Sequence, residues 1–306
     1  MCAFCAVFLV LVRAGAQSGE PQKLSPVEQR AVATIRAWNA GWEARDPNQV
    51  AAQMTEDAFW SGGFPSNPDA GIWRTSDRYL QQGGGATRSG VKFTVAEELV
   101  ISGSAGTAVL HRRMDEFGFG PYGFGAGRGG PGTLFMNAVL FWVNPNDKIQ
   151  VWLDGPVSRG GPRTQAPPLD NWAADERAAL EVVKGFVAAW NARDADKVAS
   201  YMNDDVLVST YFPRNISETG RAHFLDAHRR NITQGVEMRI DASLAVGGDR
   251  GIAVLIKRVD RFPVGGRQRE VPNAGYFWLT DGKIHTWLDL PLEPPPNGAD
   301  GAPVIR

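Results

Sequence analysis

Apolar residues recur three and four positions apart from Val27 to Trp42, and the start of that run carries helix-opening chemistry. Ser25 stands at the N-cap, Pro26 in the first turn and Glu28 where a capping box needs it. Asp46-Pro47-Asn48-Gln49 opens a second, short helix in the same way. The pattern then changes period. Alternating apolar and polar positions near 92–101, 106–117, 133–143 and 148–154 predict four strands. The same order returns downstream: a long helix over about 173–192, a short one capped by Asp194, then strands near 236–246, 251–263, 270–279 and 283–290. A further helical piece is expected near Ser76–Gln82 and Gly220–Arg230. Helices followed by a curved antiparallel sheet, twice over, define an α+β chain of two tandem domains.

The two halves also match residue by residue. Trp42-Glu-Ala-Arg-Asp46 answers Trp190-Asn-Ala-Arg-Asp194, and Val50, Met54, Asp57 and Phe64-Pro65 answer Val198, Met202, Asp205 and Phe212-Pro213 at one constant offset. Val109-Leu-His-Arg-Arg-Met-Asp115 pairs with Val254-Leu-Ile-Lys-Arg-Val-Asp260, Asn137–Trp142 with Asn273–Trp278, and Val151-Trp-Leu-Asp-Gly-Pro156 with Thr286-Trp-Leu-Asp-Leu-Pro291. Four blocks in one order establish an internal duplication. The Pro- and Gly-rich stretch around Ser158–Pro168 and the tail from Glu293 read as connectors. Domain one is therefore expected over 18–158, a linker over 159–171, domain two over 172–292 and a tail over 293–306.

Met1 to Val12 is apolar and is followed by Ala14-Gly15-Ala16, so residues 1–17 read as a signal peptide, which places the mature chain outside the cytoplasm, secreted or periplasmic. The run is shorter than the roughly 20 residues of a spanning helix, and no membrane role is expected once it is removed. Cys2 and Cys5 both fall inside it, which leaves the mature chain no thiol chemistry and no disulfide. With 32 Lys and Arg against 33 Asp and Glu, and no basic run, nucleic acid is not an expected partner.

The chemistry is in polar residues on apolar strand faces. Residues two apart in a strand share a face about 7 Å apart, so Arg258 and Asp260 lie with Val254 and Ile256, and Asp289 lies with Trp287. If those strands adjoin, one guanidinium can bridge two carboxylates. Burial of such a pair lets one acid hold a proton while the other serves as a base, and Arg remains charged between them. The same set recurs as Arg113, Asp115 and Asp154. Asn137 and Asn273 are further polar residues on apolar strands and could hold a water. The plain alternative is a structural ion-pair network closing each sheet.

No nucleophile elbow, zinc-protease motif or phosphate loop is present, and the four histidines (His111, His223, His228, His285) do not recur at matching positions, so they read as surface or packing residues. No metal and no cofactor are expected. The stretch Phe117–Pro131, rich in Gly and aromatics, reads as an insertion able to cover the pocket of copy one.

Lys257-Arg-Val-Asp260 followed by Leu279-Thr-Asp-Gly-Lys-Ile-His-Thr-Trp-Leu-Asp289 resembles the catalytic core of the limonene epoxide hydrolase family, within the SnoaL and NTF2-like superfamily. The resemblance implies a cone-shaped α+β fold around an apolar pocket, and cofactor-free addition of water to a small hydrophobic epoxide. It implies that Asp260 is the general acid, Asp289 the base that activates water and Arg258 the bridge, with Asp115, Asp154 and Arg113 repeating the parts. That family positions its water with a Tyr and an Asn on another strand, whereas Phe59–Gly63 and Leu207–Tyr211 do not reproduce both. Asn137, Asn273, Thr210 and Tyr211 are the candidates to replace them. Superfamily relatives include isomerases, cyclases and dehydratases, and a non-catalytic module binding an apolar ligand is the remaining alternative. The resemblance also implies that the fused copies form a built-in dimer.

Overall fold

The computed structural model describes residues 23–61, 63, 90–117, 133–159, 161–162, 171–212 and 218–293. The leading segment with both cysteines that reads as a signal peptide, the helical piece expected at 76–82, the stretch 118–132, most of the expected linker and the tail beyond Glu293 lie outside the described residues.

The first helix, Pro26–Glu43, opens with the expected capping box, in which the Ser25 N–H donates to Glu28 Oε2 at 2.8 Å. Asp46 Oδ1 accepts from Asn48 N at 2.9 Å and so starts the short helix Pro47–Ala52. The repeated Ala-Arg-Asp between the helices has a backbone cause. Arg45 and Arg193 hold φ of 61° and 64°, ending one helix in the left-handed region so that the next residue can cap its successor. Copy two repeats the order with helices Ala174–Asn191, Ala195–Ser200 and Arg221–Thr233.

Copy one contributes strands β1 (Met54–Ser61), β2 (Val91–Gly103), β3 (Gly106–Phe117), β4 (Thr133–Val143), β5 (Ile149–Pro156) and the two-residue β6 (Gly161–Pro162). Copy two contributes β7 (Met202–Ser209), the two-residue β8 (Glu218–Thr219), β9 (Glu237–Gly248), β10 (Gly251–Val264), β11 (Arg267–Thr280) and β12 (Lys283–Pro291). The spatial orders are β1-β5-β4-β3-β2 and β8-β7-β12-β11-β10-β9. Eight of the long strands fall where alternation predicts them. The sheets are nevertheless mixed rather than purely antiparallel, because β1 pairs parallel with β5 and β7 parallel with β12. These two strands escape the alternation rule for a physical reason: each begins partly exposed and ends with four consecutive buried residues, covered on both faces.

Alternation assigns each sheet face a task. One face of each sheet packs on its own helices: Val109, Val139, Phe141 and Trp152 meet Trp38 and Trp42, while Val254, Ile256, Phe277 and Trp287 meet Phe186 and Trp190. The opposite faces share one apolar cluster, in which Leu110, Leu140 and Trp142 join Leu244, Leu255, Tyr276 and Trp278. Polar contacts across this face are reciprocal. Arg112 Nη1 donates to Ala245 O at 2.7 Å, and Lys257 Nζ donates to Val100 O at 3.1 Å. Arg112 also meets Glu176 at 3.1 Å, so its charge is buried with a partner.

The strand ends are latched in the same reciprocal way. Ala105 N donates to Leu292 O at 2.8 Å, and Arg250 N to Val157 O at 2.9 Å. A Cβ at Gly103 would lie 2.3 Å from Leu292 O, and one at Gly248 would lie 2.3 Å from Val157 O. Backbone cannot yield as a flexible side chain can, so glycine is required at both places. Gly103→Ala and Gly248→Ala are each expected to lower stability by about 1–3 kcal/mol, the usual cost of overpacking, as read by chemical denaturation. A loss at one position alone would contradict the equivalence of the two latches.

Candidate active site

Copy two shows how the strands build the site. On β10, Val254, Ile256, Arg258 and Asp260 point to the helix-covered face, as the two-residue period requires. Register places Asn273 of β11 opposite Arg258, and Gly275 of β11 opposite Asp289 of β12. The carboxylate-bearing strands therefore do not adjoin, and Arg258 reaches across β11 to bridge them.

The geometry is that of a guanidinium between two acids. Arg258 donates from Nε to Asp260 Oδ1 at 2.6 Å and from Nη2 to Asp260 Oδ2 at 2.7 Å. Nη2 also donates to Asp289 Oδ2 at 2.5 Å. Asn273 Nδ2 donates to Asp260 Oδ2 at 3.0 Å, and Trp287 Nε1 donates to Asp289 Oδ1 at 2.6 Å. Arg258 is fully buried, and Asp260, Asn273 and Asp289 are each at most 4% exposed. These are short, charge-assisted bonds among buried side chains.

Copy one repeats the arrangement. Arg113 donates to Asp115 at 2.6 and 2.8 Å and to Asp154 at 3.0 Å, and Asn137 Nδ2 donates to Asp115 Oδ2 at 2.6 Å. Two details differ. Trp152, the counterpart of Trp287, stacks on Trp60. Arg113 lies 4.3 Å from the Phe93 ring centroid, whereas Arg258 lies 5.8 Å from that of Trp287.

Burial sets the electrostatics. Desolvation pushes the Asp289 carboxyl up to about 6; Arg258 opposes the rise and the negative charge of Asp260 adds to it. Asp154 is pushed up to about 6 by the same causes, with Arg113 and Asp115 in the corresponding parts. For Arg258, burial favours losing the proton, but the two carboxylates outweigh it and raise its proton affinity. The bridge thus stays charged while the acids compete for a single proton.

The copy-two cluster opens into a cavity. Trp190, Val236, Met238, Phe262, Val271 and Trp287 supply apolar walls, while Arg258, Asp260, Asn273 and Asp289 converge at its polar part. Thr210 and Tyr211, at the end of β7, line it as well. Half-burial and the two aspartates raise the proton affinity of the Tyr211 phenolate, so Tyr211 remains a hydrogen-bonding phenol. All six copy-two candidates, namely Arg258, Asp260, Asp289, Asn273, Thr210 and Tyr211, thus meet at one pocket, and Asn137 joins its own triad in copy one.

Other cavity residues were not legible as such in the sequence. Trp287 was expected beside Asp289 but not as its donor. His228, on the helix Arg221–Thr233, stacks on Phe224 at 4.9 Å and lines the cavity; the spacing of four on one helix was the available signal. His111 is buried against Glu98 at 3.0 Å, a packing role. Among the described residues, no group of three or more His, Cys, Asp and Glu is placed to hold a metal ion.

Residues 183–287 match the model of the SnoaL-like domain. No curated protein matches the chain in sequence. Solved structures similar to it include an LEH-like epoxide hydrolase from M. tuberculosis, 26% identical, covering 38% of this chain and 84% of that one with a TM-score of 0.33. An epoxide hydrolase/cyclase-like enzyme of pyran ring formation in the polyether salinomycin is 20% identical, covering 38% and 92%, with a TM-score of 0.34. An NTF2-like protein of unknown function from Mesorhizobium loti is 14% identical, covering 40% and 96%, with a TM-score of 0.33. Residues 183–287 thus match a SnoaL-like domain, within an α+β chain of two tandem units whose strand orders correspond.

Proposed function

We propose that this protein is a cofactor-free epoxide hydrolase that adds water to a small hydrophobic epoxide by general acid–base catalysis. The observation that carries this reading is a fully buried Arg258 bridging Asp260 and Asp289 at the polar part of an apolar cavity. In the reactive protonation state the pair holds one proton, on Asp260. Asp289 takes a proton from water as the oxygen attacks an epoxide carbon. Asp260 gives its proton to the epoxide oxygen as the C–O bond breaks, which leaves a diol and a pair that still holds one proton. Thr210 and Tyr211 are the residues to orient water or substrate. Copy one has the same triad and is proposed to carry a second centre. The leading segment is proposed to export the chain.

The first test uses terpene, styrene and alicyclic epoxides in ¹⁸O-labelled water under single-turnover conditions. Diol carrying one label in its new hydroxyl is expected, because water attacks directly rather than through an ester on the protein. Asp289→Asn should lower turnover by about 100-fold or more, the scale of losing a general base. Comparison with Asp154→Asn and the double variant assigns the activity between copies. Formation of no diol by any folded variant or by wild type overturns the reading and favours proton transfer in a SnoaL-like isomerase, cyclase or dehydratase.

The pH dependence follows from the sign of the shift. The active pair carries one proton, and burial places the last ionisation at about 6 for Asp289. The log of kcat/KM should therefore fall with a slope of −1 as pH rises above about 6.

Stability should move in the same sense. The folded-state value of Asp289 is raised above its ordinary 3.8, so its contribution is fully present below that value and is lost as pH rises through about 6. Asp289→Asn mimics the protonated acid and leaves Arg258 paired with Asp260. It should raise unfolding stability at pH 8 by on the order of 2 kcal/mol and change it little at pH 4, a two-unit shift being worth at most slightly more than that. Lower stability at both pH values would mark the triad as a purely structural network.

A further inference from the structure

Asn273 is held differently from the structural asparagine nearest in kind. Asn191 is fixed at both ends: its Nδ2 donates to Met238 O and its Oδ1 accepts from Met238 N, each at 2.8 Å. Only one amide orientation satisfies both bonds. Asn273 is 4% exposed, and its Nδ2 donates to Asp260 Oδ2 at 3.0 Å, while its buried Oδ1 has no hydrogen-bond partner among the described residues. Asn137 shows the same combination, with Nδ2 donating to Asp115 Oδ2 at 2.6 Å and Oδ1 buried without a partner. In both copies the register sets this asparagine directly opposite the bridging arginine, Asn273 against Arg258 and Asn137 against Arg113.

A buried carbonyl oxygen without a donor is costly, and nothing but the aspartate determines which way this amide faces. The observed orientation suits a carboxylate, which can only accept. A protonated Asp260 needs an acceptor for its O–H, and the other end of the same amide supplies one. We propose that Asn273 is the positioning residue for the general acid: its amide turns so that Oδ1 accepts from Asp260 when that acid holds its proton, and Nδ2 donates once the proton has left. Asn137 does the same for Asp115. The inference rests on the acid role of Asp260 in the proposed reaction. On this account the Nδ2 bond strengthens as charge develops on Asp260, so its contribution falls in the transition state rather than on bound substrate.

The charged and titratable groups facing Asp260 are Arg258 beside it, Asp289 on β12, Tyr211 after β7, His228 on the helix Arg221–Thr233 and Glu293 beyond β12. Their presence shapes the test, which has two arms. In the first, the full chain labelled with ¹³C and ¹⁵N is titrated from pH 4 to 8, and the side-chain ¹⁵N resonance of Asn273 is followed beside the carboxyl resonance of Asp260. The Asn273 step should share its midpoint with the carboxyl titration of the Asp260–Asp289 pair, in wild type and in His228→Gln, and should vanish in Asp260→Asn. An amide resonance independent of pH, or one that follows His228, overturns the proposal. This arm needs no substrate, so it stands even if no epoxide is hydrolysed.

In the second arm, epoxide turnover is compared among wild type, Asn273→Leu and Asn273→Ser. Leucine neither donates nor accepts and should lower kcat by 10–100-fold with KM changed less than threefold. The serine hydroxyl can do either and should recover about tenfold of that loss. A matching change in KM and kcat, or no gain from serine over leucine at equal thermal stability, would show a substrate contact or a packing role instead. Absence of turnover by wild type is a failure of the epoxide hydrolase reading and is recognised by that result alone.

Discussion

The constraint on which each copy depends is the burial of one guanidinium among apolar strands. A buried cation is tolerated only if opposite charge compensates it, and a single carboxylate would leave an Nη2 proton unused beside Nη1, which has no hydrogen-bond partner among the described residues. The second carboxylate fills that need and creates another: two acids beside one Arg cannot both ionise without strain, so burial pushes Asp289 and Asp154 up to about 6. The feature that makes the cluster chemically useful is therefore the same feature that makes it costly to fold. A network selected for stability alone would gain by replacing the second acid with a neutral partner. Its presence twice, in the same register, is what favours chemistry over mere closure of the sheet.

The sheet resolves this cost by separating its faces. Arg112 and Arg113 are neighbours in sequence but point in opposite directions, and so do Lys257 and Arg258. Arg113 and Arg258 turn towards the helices and hold the acids. Arg112 and Lys257 turn outward and donate across to the backbone of the other copy. Leu110 and Leu255 flank them in the apolar layer between the sheets. Each sheet is thus buried on both sides, and rigidity on the outer face holds the spacing on the inner one. Glu293 illustrates the coupling: it lines the copy-two cavity and accepts from Ser104 N of copy one at 2.8 Å.

Much of this was legible in the sequence because the two-residue period of a strand is a strong constraint. Arg258 and Asp260 share a face by spacing alone, and Trp287 with Asp289 likewise. Ser25 with Glu28, and Asp46 and Asp194, marked their helix starts by side-chain chemistry that does not depend on the rest of the fold. What was not legible depended on strand order and on long-range packing. The parallel strands β1 and β7 lack alternation because both of their faces become covered. Spacing also cannot say that β11 lies between β10 and β12, so the bridge was expected across adjoining strands when it spans a third. His228 and Met238 enter the cavity from different elements, and only tertiary structure brings them together.

The differences between the copies show which parts of the arrangement are constrained. The distance from arginine to the second aspartate is 2.5 Å in copy two and 3.0 Å in copy one. Trp287 donates to Asp289 at 2.6 Å, whereas Trp152 stacks its ring on Trp60. Gly275 stands opposite Asp289, but Val139 stands opposite Asp154. The surroundings have therefore changed in packing and volume. The guanidinium, the two carboxylates and the asparagine facing the guanidinium have not, and the raised proton affinity of the second acid survives with them. That proton affinity comes from burial and shared charge, which the indole bond only tempers, so the four conserved positions of the duplication are sufficient to maintain it.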